Sequence, residues 1–314
     1  MREYLIPESG NWYKAGLHTH STLSDGHFTP EQLKELYKGM GYSILALTDH
    51  RKCIPHPELN DPEFLTITSL EADLNTEDER GYVVDTVHIN AFAKSPDTTY
   101  QTTSQPVTDE NVNGLLRDLD EAGFVTCINH PVWSDMSTEE LFRYHGNTAL
   151  EIYNSISVIY NNYADDSPYV EHFLRAGGKA TLIAADDCHL IREDGGPTLE
   201  YGSGFNMFRL PELSYDGVIG ALQNRQTYAS TGPLFREMWL DGNILHVECS
   251  PVRRLIVRSR YIHFKKWVME DEPFTCMDVD ISDLKEKSPY IWVSIRDEKG
   301  GIAWAQPYYF RDRT

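Results

Sequence analysis

The stretch LHTHSTLSDG, residues 17–26, follows an apolar run and places two histidines one residue apart, with an aspartate five positions after the second. Along a β-strand, residues i and i+2 share a face, so His18 and His20 present two imidazoles side by side. That arrangement brings two ligands to one metal ion; the alternative is a surface loop with two ordinary histidines. What stands at the ends of the strands that follow decides between them.

Residues 1–190 alternate short β-like runs with helical segments, the pattern of a parallel sheet or barrel. KAGLHTH (14–20), SILALTDH (43–50), FLTITSLEAD (64–73), VVDTVHINAFA (83–93), FVTCINHP (124–131), ALEIYN (149–154) and KATLIAADDCH (179–189) read as strands. TPEQLKELYKGMG (29–41) reads as a helix with Thr29 as N-cap, Pro30 at its first position and Gly41 at the stop. Further helices are expected near 109–122, 137–145 and 167–177. In order, the strand ends deliver His18 and His20, His50, Glu71, His88, His130, Glu151, and Asp187 with His189. All strand C-termini of a (β/α) barrel meet at one mouth, so these residues would converge there. Any single histidine, taken alone, is more often a satisfied core residue, but a solvated surface does not select one location on strand after strand. His27, His56, His145, His172, His246 and His263 fall elsewhere and receive no ligand role, although His27 follows Asp25 closely enough to reach the rim.

The 314-residue chain is 40% hydrophobic and 24% charged, ordinary for a globular protein with room for one large and one small domain. MREYLIPESGNWYK has no continuous apolar core, and no later stretch approaches the roughly 20 apolar residues of a membrane span, so a soluble, cytoplasmic protein is expected. Cys53, Cys127, Cys188, Cys249 and Cys276 form no CxxC pair and suit a reducing compartment, with Cys127 and Cys188 expected as small buried residues near the site. The net charge of −20 argues against a nucleic-acid surface. Residues 233–314 hold 13 basic and 13 acidic side chains, so the whole excess falls in residues 1–232. That split supports two domains, 1–232 and 233–314.

After residue 190 a glycine-rich connection leads to GFNMFRL (204–210), read as an edge strand, and to YDGVIGALQNRQTYASTGP (215–233), read as a helix running into a turn. Only short β-like runs follow, including ILHVECS, RLIVRSRYIHF and YIWVSIRD, which predict a small all-β sandwich. The cluster Arg253, Arg254, Arg258, Arg260, Lys265 and Lys266 interleaves with apolar residues and fits the outer face of a half-buried strand better than a polyanion patch.

Over residues 14–190 the sequence resembles the PHP (polymerase and histidinol phosphatase) superfamily of metal-dependent phosphoesterases. The resemblance rests on HTH with SDG downstream, TDH, a glutamate closing the next strand, VHINAF, NHP and DCH. It implies a distorted (β/α)7 barrel with a two- or three-metal centre. By motif, His18, His20, Glu71 and Asp187 would hold one ion, Glu71 would bridge to a second bound by His88 and His130, and Asp25, His50 and His189 would hold a third. TYASTGP followed by a small β-domain looks like the CehA/McbA-like branch. AADDCH has Asp186 where the family usually has serine, so Asp186 competes with Asp187, and spacing favours Asp187. The acidic stretch DLNTEDERGYVVDT looks like an expanded loop.

Histidine and carboxylate donors without cysteine suit Zn, Mn or Fe(II). Such a centre activates water and needs no nucleophilic side chain, with Glu71, Asp187 and His189 as the catalytic set. Arg51 after TDH and Arg192 after DCH are placed to bind a phosphate, or stand as solvated rim arginines. Asn154 would donate into the site, or serve with Glu151 as a strand-end structural residue. The expected activity is hydrolysis of a small phosphoester. Hydrolysis of a carboxylic ester, carbamate or amide is the enzymatic alternative, and a non-catalytic metal- or ligand-binding module is the alternative of another class. A small-molecule substrate is expected, with no nucleic acid and no membrane partner.

Overall fold

The computed structural model describes residues 2–162, 164–189, 201–263 and 265–310. Seven strands, β1 (Asn11–Gly16), β2 (Ile44–Leu47), β3 (Leu65–Glu77), β4 (Val83–Ala93), β5 (Phe124–Ile128), β6 (Ala149–Asn154) and β7 (Thr181–Ala185), are hydrogen-bonded in sequence order. Just beyond β1 and β7 the path returns on itself. Thr19 bridges Cys188 in parallel, His20 N donates to Cys188 O (3.0 Å), and Asp187 N donates to His18 O (3.1 Å). The first and last strands are therefore joined at their C-terminal ends, where the ligand-type residues stand.

Helices α1 (Pro30–Gly39), α2 (Asp109–Glu121), α3 (Thr138–Arg143) and α4 (Ser167–Arg175) lie between these strands in the chain. The Thr29 hydroxyl accepts from Gln32 N while the Gln32 side chain accepts from Thr29 N, a reciprocal cap that starts α1 at Pro30 as the sequence predicts. Small and branched side chains from alternate strand positions, among them Ala15, Ile44, Ala46, Ile67, Val125 and Ile183, fill one buried cluster. Cys127 belongs to it, and Cys188 is likewise buried.

Two expectations change here. The pairs β1–β2, β2–β3, β5–β6 and β6–β7 are parallel, but β3–β4 and β4–β5 are antiparallel. Only residues 78–82 separate β3 from β4, enough for a hairpin but not for the dozen or more residues that a parallel crossover needs. The acidic stretch read as a loop is therefore mostly ladder. Its turn is tied by the Asp78 carboxylate, which accepts from the backbone of Arg80 and Tyr82.

The second change concerns β8 (Phe205–Leu210), expected at an edge. It lies between β1 and β9 (Thr227–Ser230), antiparallel to both. Five of its six residues are buried, as in a strand covered on both faces. Between β8 and β9 lies α5 (Tyr215–Gln223), and the TYAS segment read as a turn is β9 itself. Next come β10 (Phe235–Asp241), β11 (Ile244–Ser259), β12 (Lys266–Asp280), α6 (Ser282–Lys287), β13 (Tyr290–Arg296) and β14 (Ile302–Trp304). The pairing β9–β14–β13–β11–β10 continues the first sheet, so residues on either side of 232 share one mixed α/β architecture with a large sheet. Leu33, Tyr37 and Leu45 likewise share a buried apolar cluster with Leu245, Val247 and Val293. Arg253, Arg254 and Arg258 lie on β11 among buried Val252, Leu255 and Val257. Among the described residues no helix is long and apolar enough to cross a membrane, and all five cysteines are free.

Candidate metal centre

All nine histidine and carboxylate positions implied as ligands come together at the closed end of the strand ring. His18 and His20 lie on the extension of β1, held by the bridge at Thr19. The loop after them is clipped to the end of β2, because the Asp49 carboxylate accepts from Ser21 N (2.8 Å), Ser21 Oγ (2.8 Å) and Ser24 Oγ (2.8 Å). Gly26 closes the same loop, and a Cβ there would lie 2.2 Å from His20 O, so no larger residue fits. This fold-back sets Asp25 Oδ1 3.5 Å from His20 Nδ1 and 3.5 Å from His189 Nε2, and Asp25 Oδ2 3.5 Å from His50 Nε2.

Glu71 is the hub. Its Oε1 lies 3.2 Å from His18 Nε2, 3.1 Å from His88 Nδ1 and 3.5 Å from His130 Nε2, while Oε2 lies 3.3 Å from His20 Nε2 and 3.2 Å from His50 Nδ1. It does not close its strand as the sequence suggests, and neither does His88. Both sit mid-strand on the β3–β4 hairpin, which runs on past the mouth. Asp187 is the second hub: Oδ1 is 3.2 Å from both His18 Nε2 and His20 Nε2 and 3.5 Å from His189 Nδ1, and Oδ2 is 3.8 Å from His130 Nε2. Donor atoms fall into three groups, each within 4.8 Å: His18, His20 and Asp187; Glu71, His88 and His130; and His20, Asp25, His50 and His189. His20 thus belongs to two groups, where the motif reading gives it one.

The competition between Asp186 and Asp187 is resolved by direction. Asp186 accepts from the backbone of Gly202, Ser203 and Gly204 and from the Tyr37 hydroxyl, tying residues 202–204 to the end of β7. Asp187, turned the other way, has φ 55°, and His130 has φ 26°. Backbone strain of this kind, of order 1–3 kcal/mol per residue, persists only where the surroundings impose it.

Several residues outside the nine hold them in place. Glu151 Oε1 accepts from His18 Nδ1 (2.7 Å), which turns His18 Nε2 into the cluster, and Glu151 Oε2 accepts from His130 N (2.9 Å). The Asn154 amide, expected either to donate into the site or to serve with Glu151 as a strand-end structural residue, is buried and donates to Glu151 Oε2 (3.0 Å) and Asp187 Oδ2 (3.1 Å). Asn129, just before His130, donates to Glu71 Oε1 (2.7 Å). Its place in NHP was the available signal; nothing in the sequence pointed to Trp133, whose ring lies 5.2 Å from that of His88 and 4.9 Å from that of His130. Arg51 is engaged bidentately by the buried Asp73 carboxylate at 2.6 Å on each oxygen. Arg192 lies outside the described residues.

The electrostatics are those of a cation site. Burial pulls the His18 pKa down, but Asp187, Glu71 and Glu151 outweigh it and leave it well above the usual histidine value. His20 is likewise opposed by burial yet carried up to about 9 by Asp187 and Glu71. Burial raises Glu71 and Asp187, but the surrounding histidines hold both well below the usual carboxylate range. Burial and the His20 charge lower His189. Three buried polar atoms facing this cluster, His20 Nδ1, His50 Nδ1 and Asp187 Oδ1, lie near oppositely charged groups but make no hydrogen bond of acceptable geometry. Orphaned atoms in a nest of lone-pair donors fit divalent cations, which satisfy them without any added hydrogen-bond donor. A cavity of about 250 Å³ opens over the donors, walled by Trp133 and Ile156. A polar groove of about 640 Å³ continues from Asp25, His50 and His88 toward Arg51, Asn75 and residues 101–104.

No protein-family model and no curated protein matches the sequence. Among solved structures, the chain is similar to a two-domain protein from Bacteroides vulgatus containing a predicted PHP-like metal-dependent phosphoesterase, with 15% identity, 98% of each chain covered and a TM-score of 0.48. It is similar to an amidohydrolase from Chromobacterium violaceum with bound sulfate and no metal (15% identity, 56% of this chain and 87% of that one, TM-score 0.40). A third similar structure, from Bifidobacterium adolescentis, is a predicted metal-dependent phosphoesterase (15% identity, 69% of this chain and 96% of that one, TM-score 0.39).

Proposed function

We propose that the chain is a metal-dependent hydrolase of the PHP type, with its centre at the mouth of a distorted (β/α)7 barrel, and that it cleaves a small phosphoester. The observation that carries this reading is the convergence of nine histidine and carboxylate side chains, from six strands, on one site with orphaned buried donor atoms. Two or three Zn, Mn or Fe ions suit these donors, and when bound they would supply a water acidified toward neutrality and positive charge opposite the phosphoryl oxygens. Glu71 and Asp187 are the residues that join the ligand groups, since each reaches histidines of more than one set. His189, partly exposed beside Asp25, faces the substrate's path. Trp133 and Ile156 keep one wall of the cavity apolar and limit water. All nine ligands lie in residues 1–232, which we take as the hydrolase unit, with 233–314 as an accessory β-unit. TYASTGP and that β-unit support placement in the CehA/McbA-like branch.

One observation favours a second reading, hydrolysis of a carboxylic ester, carbamate or amide. No lysine or arginine lines the inner cavity among the described residues, and Arg51 is already paired with Asp73. Among the described residues, then, nothing but the bound cations would meet a phosphate in that cavity, whereas a neutral carbonyl substrate asks for no further cation. Protein loaded with Mn, Fe or Zn and assayed on p-nitrophenyl phosphate, bis(p-nitrophenyl) phosphate and aryl esters and carbamates separates the two. Turnover of the phosphoesters supports the first reading, turnover of carbonyl substrates alone replaces it with the second, and inertness on all of them points to a binding module.

A further inference from the structure

A separate group of ligand-type side chains meets on β11 and β12, far from the barrel mouth in sequence. The register of this antiparallel pair sets His246 opposite Asp278 and Glu248 opposite Cys276. Leu245, Val247 and Cys249 point into the core, so His246 and Glu248 occupy the outer face of β11. Two rungs of the ladder, with the Val247–Met277 rung between them, therefore carry a histidine, a thiol and two carboxylates on one side. Sequence spacing hides this, because residues some thirty positions apart are joined only by strand pairing.

His246 Nδ1 is 2.6 Å from Asp278 Oδ1, so its Nε2 is the nitrogen free to coordinate. That Nε2 lies 3.3 Å from Glu248 Oε1 and 3.9 Å from Cys276 Sγ. A tetrahedral Zn²⁺ with bonds of about 2.0–2.3 Å spaces neighbouring donors roughly 3.3–3.7 Å apart, close to both distances. The Asp278 contact is the carboxylate–histidine arrangement that fixes the tautomer of a metal-bound imidazole. The ring is also stacked on Trp239, with centroids 4.3 Å apart and planes at 17°. Among the described residues neither Glu248 nor Asp278 forms an ion pair with lysine or arginine. Desolvation, then Glu248 and Asp278, raises the Cys276 thiol pKa, a field that a bound cation would reverse.

We propose that His246, Glu248 and Cys276 form a second metal site, for a borderline-soft divalent cation such as Zn²⁺, with Asp278 orienting the imidazole and water completing the coordination. Its consequence is mechanical. Among the described residues β12 pairs only with β11, as an edge strand, and an ion held by Cys276 on one strand and by His246 and Glu248 on the other ties that edge to the sheet.

The full-length reduced protein, stripped of metal and titrated with Co²⁺, tests the proposal, because a sulfur-to-cobalt charge-transfer band reports a thiolate ligand and the barrel donors include none. The band is expected in the wild type, absent in Cys276→Ser, and shifted to about 10–100-fold higher Co²⁺ concentration in Asp278→Asn. Zn²⁺ added to wild type should also slow amide exchange in residues 266–280 but not in Cys276→Ser. Unchanged melting temperatures of the metal-free variants show that the ribbon is intact. No band in the wild type overturns the site, and so does a band that survives Cys276→Ser, which would put the sulfur at another cysteine. Neither result bears on the barrel centre, whose metal count is read separately in the Cys276→Ser protein.

Discussion

Replacing Glu151 by glutamine tests how the candidate metal centre is held without touching any proposed ligand. The carboxylate accepts three N–H groups, from His18 Nδ1 at 2.7 Å, His130 N at 2.9 Å and Asn154 Nδ2 at 3.0 Å, in a fully buried position. Glutamine has the same shape but offers one oxygen and one NH₂ group. If the NH₂ faces His18, that histidine must accept at Nδ1 and carry its proton on Nε2, the nitrogen aimed at Glu71 and Asp187, where it can no longer coordinate. If it faces His130 and Asn154, two donors meet a donor, at about 1–3 kcal/mol for the unsatisfied groups. Either orientation weakens the site. Loss of such a supporting partner typically costs about 10–100-fold in metal affinity, or about 1.4–2.7 kcal/mol. Competitive titration of the metal-free variant against a chelator of known affinity, with Mn and with Zn, measures this directly. Affinity within twofold of wild type, in a variant that melts normally, would refute the claim that Glu151 sets the His18 tautomer.

Gly26→Ala forces a Cβ to within 2.2 Å of His20 O, and the loop must shift, at about 1–3 kcal/mol for overpacking. Elemental analysis should show metal lost first from the group containing Asp25, His50 and His189; a full complement at unchanged melting temperature would contradict that placement. In metal-free protein the His20 pKa of about 9 lies above its ordinary value of about 6.5. The stability it contributes is complete below the ordinary value and is lost as pH rises through about 9. The melting temperature of chelator-treated protein should therefore fall between pH 6.5 and 9. Saturating Zn or Mn should raise it throughout, the added stability being about 2.7 kcal/mol at 100 times the dissociation constant, and most at the alkaline end, where no proton must be displaced. A metal-free melting temperature that climbs over this interval runs against the sign of the His20 shift.

What the sequence determined by itself was local and repetitive. The i, i+2 pair His18 and His20, the histidines after TD and N, the Asp187–His189 pair and the cap of α1 follow from strand alternation and from orphan backbone groups at a helix end. These rules act over a few residues, so they can be read from the chain. The tertiary structure decided what depends on strand pairing. The hairpin of β3 and β4 set Glu71 and His88 diagonally across a ladder, and the two-sided pairing of β8 carried the sheet across residue 232. Asp186 and Asp187 were parted by backbone direction, and Arg51 and Asn154 were drawn onto Asp73, Glu151 and Asp187. The register of β11 against β12 placed Cys276 beside His246. Register and pairing are cooperative outcomes of burying the apolar faces of all these strands at once, and no local run of residues encodes which distant strand will complete a given edge.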